Sequence, residues 1–386
     1  MEAWASIADQ PMPCDGNSRS PALGAAASSA CTTAGRILSN QKHNFLALNN
    51  CLQQRIISER KRPPLPMTTI SALTRCPQGL AQFVLWLLPI FAVGCEGVGE
   101  IVAPTDRIRI VCTTGQVGDM LEHIGGQHVE VRALMGPGVD PHLYKATPGD
   151  IRLLKSAKAI FYNGLHLEGR LADVLERLAE RKPTFAVTDE IRAHSPDRLR
   201  QAPEFAANYD PHVWFDVGLW ADCADYAARK LIEVDPGHAE DYRRQADTYI
   251  AELRALDAAT RNRIAEIPVE QRVLVTAHDA FGYFGRAYDI EVHGLQGIST
   301  ADEADLGAIN DLVRLLVARH VKAVFIETSV PSKNIRSLIQ GCEAAGHELR
   351  LGGELYSDAL GPADSPAATY VGMIDYNVEQ IVGALR

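Results

Sequence analysis

From residue 108 onward, short runs rich in β-branched and aliphatic residues alternate with amphipathic stretches of about ten residues, a rhythm that admits few architectures. IRIVCTT (108–114), VEVRALM (129–135), AKAIFYNG (157–164) and TFAVTD (184–189) are separated by helical patterns such as VGDMLEHIGG and LADVLERLAE. The rhythm returns with RVLVTAH (272–278), EVHGLQGIS (291–299), KAVFIETS (322–329) and ELRLGGELYSD (348–358). Strands interleaved with helices predict parallel sheets covered on both faces. The expectation is an α/β chain of two Rossmann-like lobes with parallel sheets, the first over 108–234 and the second over 269–386.

One long rigid helix over 235–268 is expected to join the lobes. Asp235 suits an N-cap, Pro236 the first helical position, and Pro268 a stop. Tyr242, Ala246, Tyr249, Leu253, Leu256 and Ile264 fall on one stripe at helical spacing. Some thirty residues at about 1.5 Å each would span roughly 45 Å. Such a helix restricts hinge motion that a Gly/Ser linker would permit.

The chain before residue 108 has a different character. Residues 1–66 are rich in Ala, Ser, Asn, Pro and Gln, lack any period and end in SERKRPPLP, so they read as a disordered extension with Met67 as the true start. Residues 67–94 read as an export signal: a polar stretch with Arg75, then the apolar run GLAQFVLWLLPIFAVG, shorter than the roughly 18–20 residues of a spanning helix. AVGC at 92–95 resembles the lipobox of bacterial lipoproteins, in which the signal is cut before a Cys that is then acylated; Ala92 stands where Leu is usual. Residues 95–107 form a polar linker, and membrane attachment through a lipid on Cys95 is the expectation.

Of 38 basic and 48 acidic residues, 8 and 4 lie before Cys95, so 95–386 keeps 30 and 44, a net charge of −14. An acidic protein makes a poor nucleic-acid binder and a tolerable cation handler. No nucleic-acid partner is expected. Three cysteines remain beyond Cys95, at 112, 223 and 342. Their spacing suits neither a disulfide framework nor a thiolate zinc site, so they read as small buried hydrophobes.

One word occurs twice: DPHLY at 140–144 and DPHVW at 210–214. Asp-Pro is a common turn opener, so the repeat can be two unrelated turns. Alternatively, Pro stiffens each turn so that the imidazole leaves in a defined direction, as a metal ligand requires. Asp140 and Asp210 can cap these turns or accept the imidazole N–H behind a bound ion. His278 and Asp358 lie at the ends of predicted strands, where open α/β sheets bind ligands. Only tertiary structure can assemble positions 70, 66 and 80 residues apart.

PHLYKATPGDIRLLKSAKAIFYNGLHLE, DPHVWFD, VTAHDAFGYFGRAY, LQGIS, FIETSV and LYSDALG together resemble the successive motifs of the substrate-binding receptors of bacterial ABC importers for zinc and manganese. The resemblance runs from about 108 to 386. It implies a metal cleft between the lobes with His142, His212, His278 and Asp358 as ligands, holding one Zn²⁺ or Mn²⁺ as transported cargo. It also implies a monomer outside the cytoplasmic membrane that serves an ABC permease and its ATPase subunit. Manganese receptors of that family more often carry Glu at the position of His278, which favours zinc. Zinc receptors often have a His/Asp-rich loop after the first ligand, and 143–211 has none. Zinc is the expected ion, with manganese next.

His166, beside the cleft by the same resemblance, is not expected to touch metal. His123, His128, His194, His238, His293, His320 and His347 read as surface or packing residues, as do Trp214 and Tyr144. Glu327 reads as a support behind a ligand or between lobes. Two enzyme classes stand as alternatives: a zinc hydrolase, for which there is no HExxH helix or evident general base, and a metal chelatase, which the export signal argues against. No phosphate loop of the GxxxxGK[ST] type occurs, so an ATPase would be a separate chain. The expectation is a binding protein, not an enzyme.

Overall fold

The first four strands answer the predicted rhythm directly. In the computed structural model, which describes residues 107–386 except Glu204, Ala206, Ala207 and 302–305, β1 (Ile108–Cys112), α1 (Gly115–Gly125), β2 (Val129–Ala133), α2 (Pro148–Ser156), β3 (Ala159–Tyr162), α3 (Ala172–Ala179) and β4 (Thr184–Ala186) follow one another. The readings of 1–66, of the export signal and of Cys95 lie outside the described residues. The strands form one parallel sheet in the order β2-β1-β3-β4. Ile110 and Cys112 point to one face and Val111 to the other, as strand pleating requires, and each face has its own apolar cluster.

Local chemistry sets the helix starts. Thr114 caps α1, its side chain accepting from Val117 N. Thr147 and Asp150 form a capping box at α2, with Pro148 in the first turn, where its missing N–H costs nothing. A short α4 (Asp189–His194) follows β4.

The long helix expected after residue 235 is present within narrower bounds, and a second long helix precedes it. α5 (Val217–Val234) and α6 (Ala239–Ile264) are linked by a 3-10 turn at Pro236–His238 and pack along each other. Asp235 does not cap a continuous helix. Its carboxylate accepts from the Tyr242 hydroxyl (2.6 Å) and lies 2.7 Å from His238 Nδ1, holding the turn. α6 is therefore shorter than the expected span, about 39 Å at the standard rise. Its predicted stripe is buried throughout, with Thr260 added.

The second half repeats the alternation: β5 (Val273–His278), α7 (Gly282–Tyr288), β6 (Glu291–Gln296), α8 (Leu306–Ala318), β7 (Ala323–Glu327), α9 (Lys333–Ala344), β8 (Arg350–Leu355) and α10 (Tyr370–Leu385). β5 pairs with β6 and β7 with β8, both parallel, and β5 and β7 lie side by side. All eight predicted strands are present. One apolar cluster includes Ile110 in β1, Trp220 in α5, Tyr249 in α6, Phe325 in β7 and Ile381 in α10, so the helix pair is packed into both lobes. Cys112, Cys223 and Cys342 are free and buried, behaving as small hydrophobes. Among the described residues no helix is long and apolar enough to cross a membrane.

Candidate metal centre

The carboxyl ends of the strands converge on one place. His278 is the last residue of β5 and Glu327 the last of β7, while Asp358 follows β8 by three residues. His142 sits in the loop between β2 and α2, and His212 just before the 3-10 turn Val213–Phe215 that leads to α5. Each of His142, His212, His278 and Asp358 offers one atom, and those four atoms lie within 4.8 Å of one another. His142 Nε2 and His212 Nε2 are 3.3 Å apart, His212 Nε2 and Asp358 Oδ1 3.4 Å, and His278 Nε2 and Asp358 Oδ2 3.4 Å. Relative exposure is 5 % for His142 and 1 % or less for the other three. His278 Nε2 and Asp358 Oδ1 have no hydrogen-bond partner, although burial makes that costly.

Behind three of the four candidate ligands stands a carboxylate or a hydroxyl. Asp210 Oδ1 accepts from His212 N (2.9 Å) and lies 2.7 Å from His212 Nδ1, so it both shapes the turn and leaves Nε2 to face the centre. Asp140 Oδ1 accepts from His142 N (2.8 Å) and Leu143 N (3.3 Å) and caps its turn only. The two Asp-Pro-His words are thus alike in backbone and unlike in imidazole support. Glu327 accepts from His278 N at 2.9 Å and lies 2.6 Å from His278 Nδ1. Ser329 Oγ donates to Asp358 Oδ2 at 3.3 Å.

A second network steadies the His212 turn from below. Asn163 Nδ2 donates to Pro211 O, and the buried Glu168 carboxylate accepts from Asn163 N, Gly164 N and the Thr113 hydroxyl. Nothing in the residue pattern singles out Asn163 or Glu168. Their signal is the conformation they hold, since Leu165 and His166 both adopt left-handed φ in that loop.

The electrostatics divide the histidines. Burial pushes His142 down to about 3, so its imidazole is neutral. Burial also opposes charge on His212, but Asp210 and Asp358 outweigh it and raise His212 to about 8. For His278 the same penalty is overcome by Glu327 and Asp358, which hold it well above the ordinary histidine value. Asp358 is buried too, yet the facing His278 and His212 keep it well below the usual carboxylate range. Burial thus favours the neutral form of His142, while the facing carboxylates favour the charged forms of His212 and His278.

The other candidates fall outside this cluster. His166 packs edge-on against Phe205 and is not among the four. Trp214 is buried beside His212 with its Nε1 donating to Ser357 O, and Tyr144 donates to Asp150. His128 and His238 stack at 3.9 Å and lie within hydrogen-bond distance of Asp241 and Asp235 respectively. Arg200 and Thr300, which reach the Asp-Pro-His turns, carry no motif and were not expected.

Comparison with known proteins places this geometry among relatives. The family model ZnuA, zinc-uptake complex component A, periplasmic, matches residues 110–384. The chain is 42% identical over 310 residues to the manganese-binding lipoprotein MntA of Bacillus subtilis, covering 80% of this chain and 99% of that protein. It is 43% identical over 276 residues to the zinc-binding protein TroA of Treponema pallidum, covering 72% of this chain and 88% of that protein. The solved structure of periplasmic TroA superposes with a TM-score of 0.69, over 72% of this chain and 99% of that one.

Proposed function

This chain belongs to the ZnuA family of periplasmic zinc-uptake complex components, and from that premise we propose that it captures one divalent transition metal outside the cytoplasmic membrane and delivers it to an ABC permease. The carrying observation is the set of ligand atoms. Four ligands about 2.05 Å from a tetrahedral zinc stand about 3.3 Å apart. The separations of 3.3 Å from His142 Nε2 to His212 Nε2 and 3.4 Å from His212 Nε2 to Asp358 Oδ1 match two edges of that figure, and one atom from each of the four residues lies within 4.8 Å of the others.

The charge state supports a divalent cargo. His212 and His278 hold Nδ1 toward carboxylates, so an arriving cation displaces one proton from Nε2 of each. Exchange of two protons for M²⁺ leaves the buried charge unchanged, which removes much of the desolvation cost of placing a dication there. Three imidazoles and one carboxylate suit zinc. Manganese is the second reading, carried by Asp358: both its oxygens face the cluster and can raise the coordination number.

A hydrolytic zinc keeps one position open for water, whereas four protein ligands complete a tetrahedron. The protein therefore acts as a binding protein rather than an enzyme. A lipid on Cys95 would hold it near the permease, and the permease and its ATPase are separate chains. Elemental analysis of protein taken from its native envelope tests the reading: one zinc per chain, or one manganese, is expected. A chain that carries neither, and binds neither on titration, would overturn it.

A further inference from the structure

The two Asp-Pro-His turns use only one carboxylate oxygen each for their own backbone. Oδ1 of Asp140 and of Asp210 accepts from the amide of the following His. The remaining Oδ2 of each points elsewhere. Asp140 Oδ2 accepts from the hydroxyl of Thr300 at 2.5 Å, and Thr300 lies between β6 and α8 in the other lobe. Asp210 Oδ2 takes Nη1 of Arg200 at 2.7 Å, and the same guanidinium places Nη2 3.0 Å from Asp279 Oδ2, next to the ligand His278.

We propose that these contacts are two clasps across the cleft, Thr300 on Asp140 and Arg200 between Asp210 and Asp279, which hold the ligand-bearing turns of one lobe against the other and slow release of the bound metal. Thr300, Arg200 and Asp279 are positioning residues: none is among the four ligands, and each acts through a turn that carries one. The seat of Arg200 is built for it. A Cβ on Gly282 would overlap the guanidinium, at 2.1 Å from Nη1, so the start of α7 leaves room for it. The Tyr283 hydroxyl accepts from Arg200 N (3.0 Å) and donates to Asp210 O (2.9 Å), tying both ends of the 200–210 segment to α7.

The Arg200 clasp suits the task because a planar guanidinium can span two carboxylates that a lysine ammonium would meet as a single point charge. Arg200 is about one-third exposed and Asp279 one-quarter, so this clasp can open to water, whereas Asp210 is fully buried and stays fixed to His212. The Thr300 hydroxyl is a single neutral donor to a carboxylate, strong when formed and cheap to break when the lobes part. Closed lobes form both clasps, and separation breaks both while leaving each His on its own capped turn.

This inference rests on the cluster binding metal, and its test separates the two claims. Zinc-loaded protein is mixed with excess chelator in a stopped-flow instrument, and loading is followed separately with free zinc. Thr300→Val and Asp279→Ala are each expected to release zinc about tenfold faster than the wild type, with association rates within twofold, because each clasp joins the lobes only in the closed form from which the metal must escape. Thr300→Ser restores the hydroxyl and is expected to release at the wild-type rate. Cobalt-loaded Thr300→Val should keep the wild-type visible spectrum, because the ligands themselves are unchanged. Release rates within twofold of wild type in both Thr300→Val and Asp279→Ala would overturn the clasps, as would Thr300→Ser releasing as fast as Thr300→Val. A wild type that binds no metal would instead sink the metal-binding reading beneath them.

Discussion

The affinity for metal should depend on pH far more steeply near neutrality than ordinary histidines allow. The perturbation is a shift from pH 7.5 to 6.5, and the groups that respond are His212, raised to about 8, and His278, raised well above its ordinary value. Both keep a proton on Nε2 at neutral pH, which the metal must displace. A group whose value is raised loses its proton only as pH rises through that value, so affinity grows with pH through about 8, where His212 gives up its proton, and on until His278 gives up its own. His142, pushed down to about 3, contributes nothing in this range. His212 at about 8 predicts by itself a fall of about eightfold between pH 7.5 and 6.5, and a protonated His278 adds up to about tenfold more, whereas three unperturbed imidazoles near ~6.5 would give only about sixfold. The assay is zinc titration against a chelator of known protonation constants at half-unit steps, with calorimetry in buffers of different ionisation enthalpy to count protons. About two protons should leave per zinc bound at pH 7. A fall under tenfold over that unit, with less than one proton released, would refute the assignment of charge to His212 and His278.

Other outcomes follow from the same structure. Asp210→Asn keeps the size of the residue but weakens the acceptor that faces His212 Nδ1, and zinc affinity should drop by about ten- to a hundredfold in competition titrations. Glu327→Gln should lose a comparable amount through His278. His166→Ala should leave calorimetric affinity unchanged, because its ring meets Phe205 and not the four ligands. From the sequence alone, the lipobox-like AVGC at 92–95 predicts that Cys95→Ser moves the protein from the membrane fraction to the soluble one on fractionation. Saturating zinc at about a thousand times Kd should stabilise the folded chain by about 4 kcal/mol, seen as a higher Tm in calorimetry.

The strands were legible because β-branched runs such as RVLVTAH are buried on every side, and burial on both faces leaves no polar interruption to blur them. The helix pair was only half legible. The stripe of α6 stands out, but Pro236 fits a helix start and a tight turn equally well, and only the contacts of Asp235 decide between them. The four candidate ligands were marked by ordered motifs rather than by spacing, since separations of 66 to 80 residues say nothing about contact. Asp140 and Asp210 open the same Asp-Pro-His word, yet only Asp210 meets the imidazole of its His, a difference set by tertiary neighbours that no sequence pattern encodes. Arg200 and Thr300 lie in segments without periodicity, and their roles come from what the other lobe presents to them.

The most direct test of the account is calorimetric titration of zinc into the wild type and into His142→Ala, His212→Ala, His278→Ala and Asp358→Ala. Four buried ligand atoms around one ion predict one site per wild-type chain. Each single loss leaves a coordination gap and should weaken binding at least about tenfold, or about 1.4 kcal/mol. Wild-type affinity in any two of the four variants would place the metal somewhere other than between these residues.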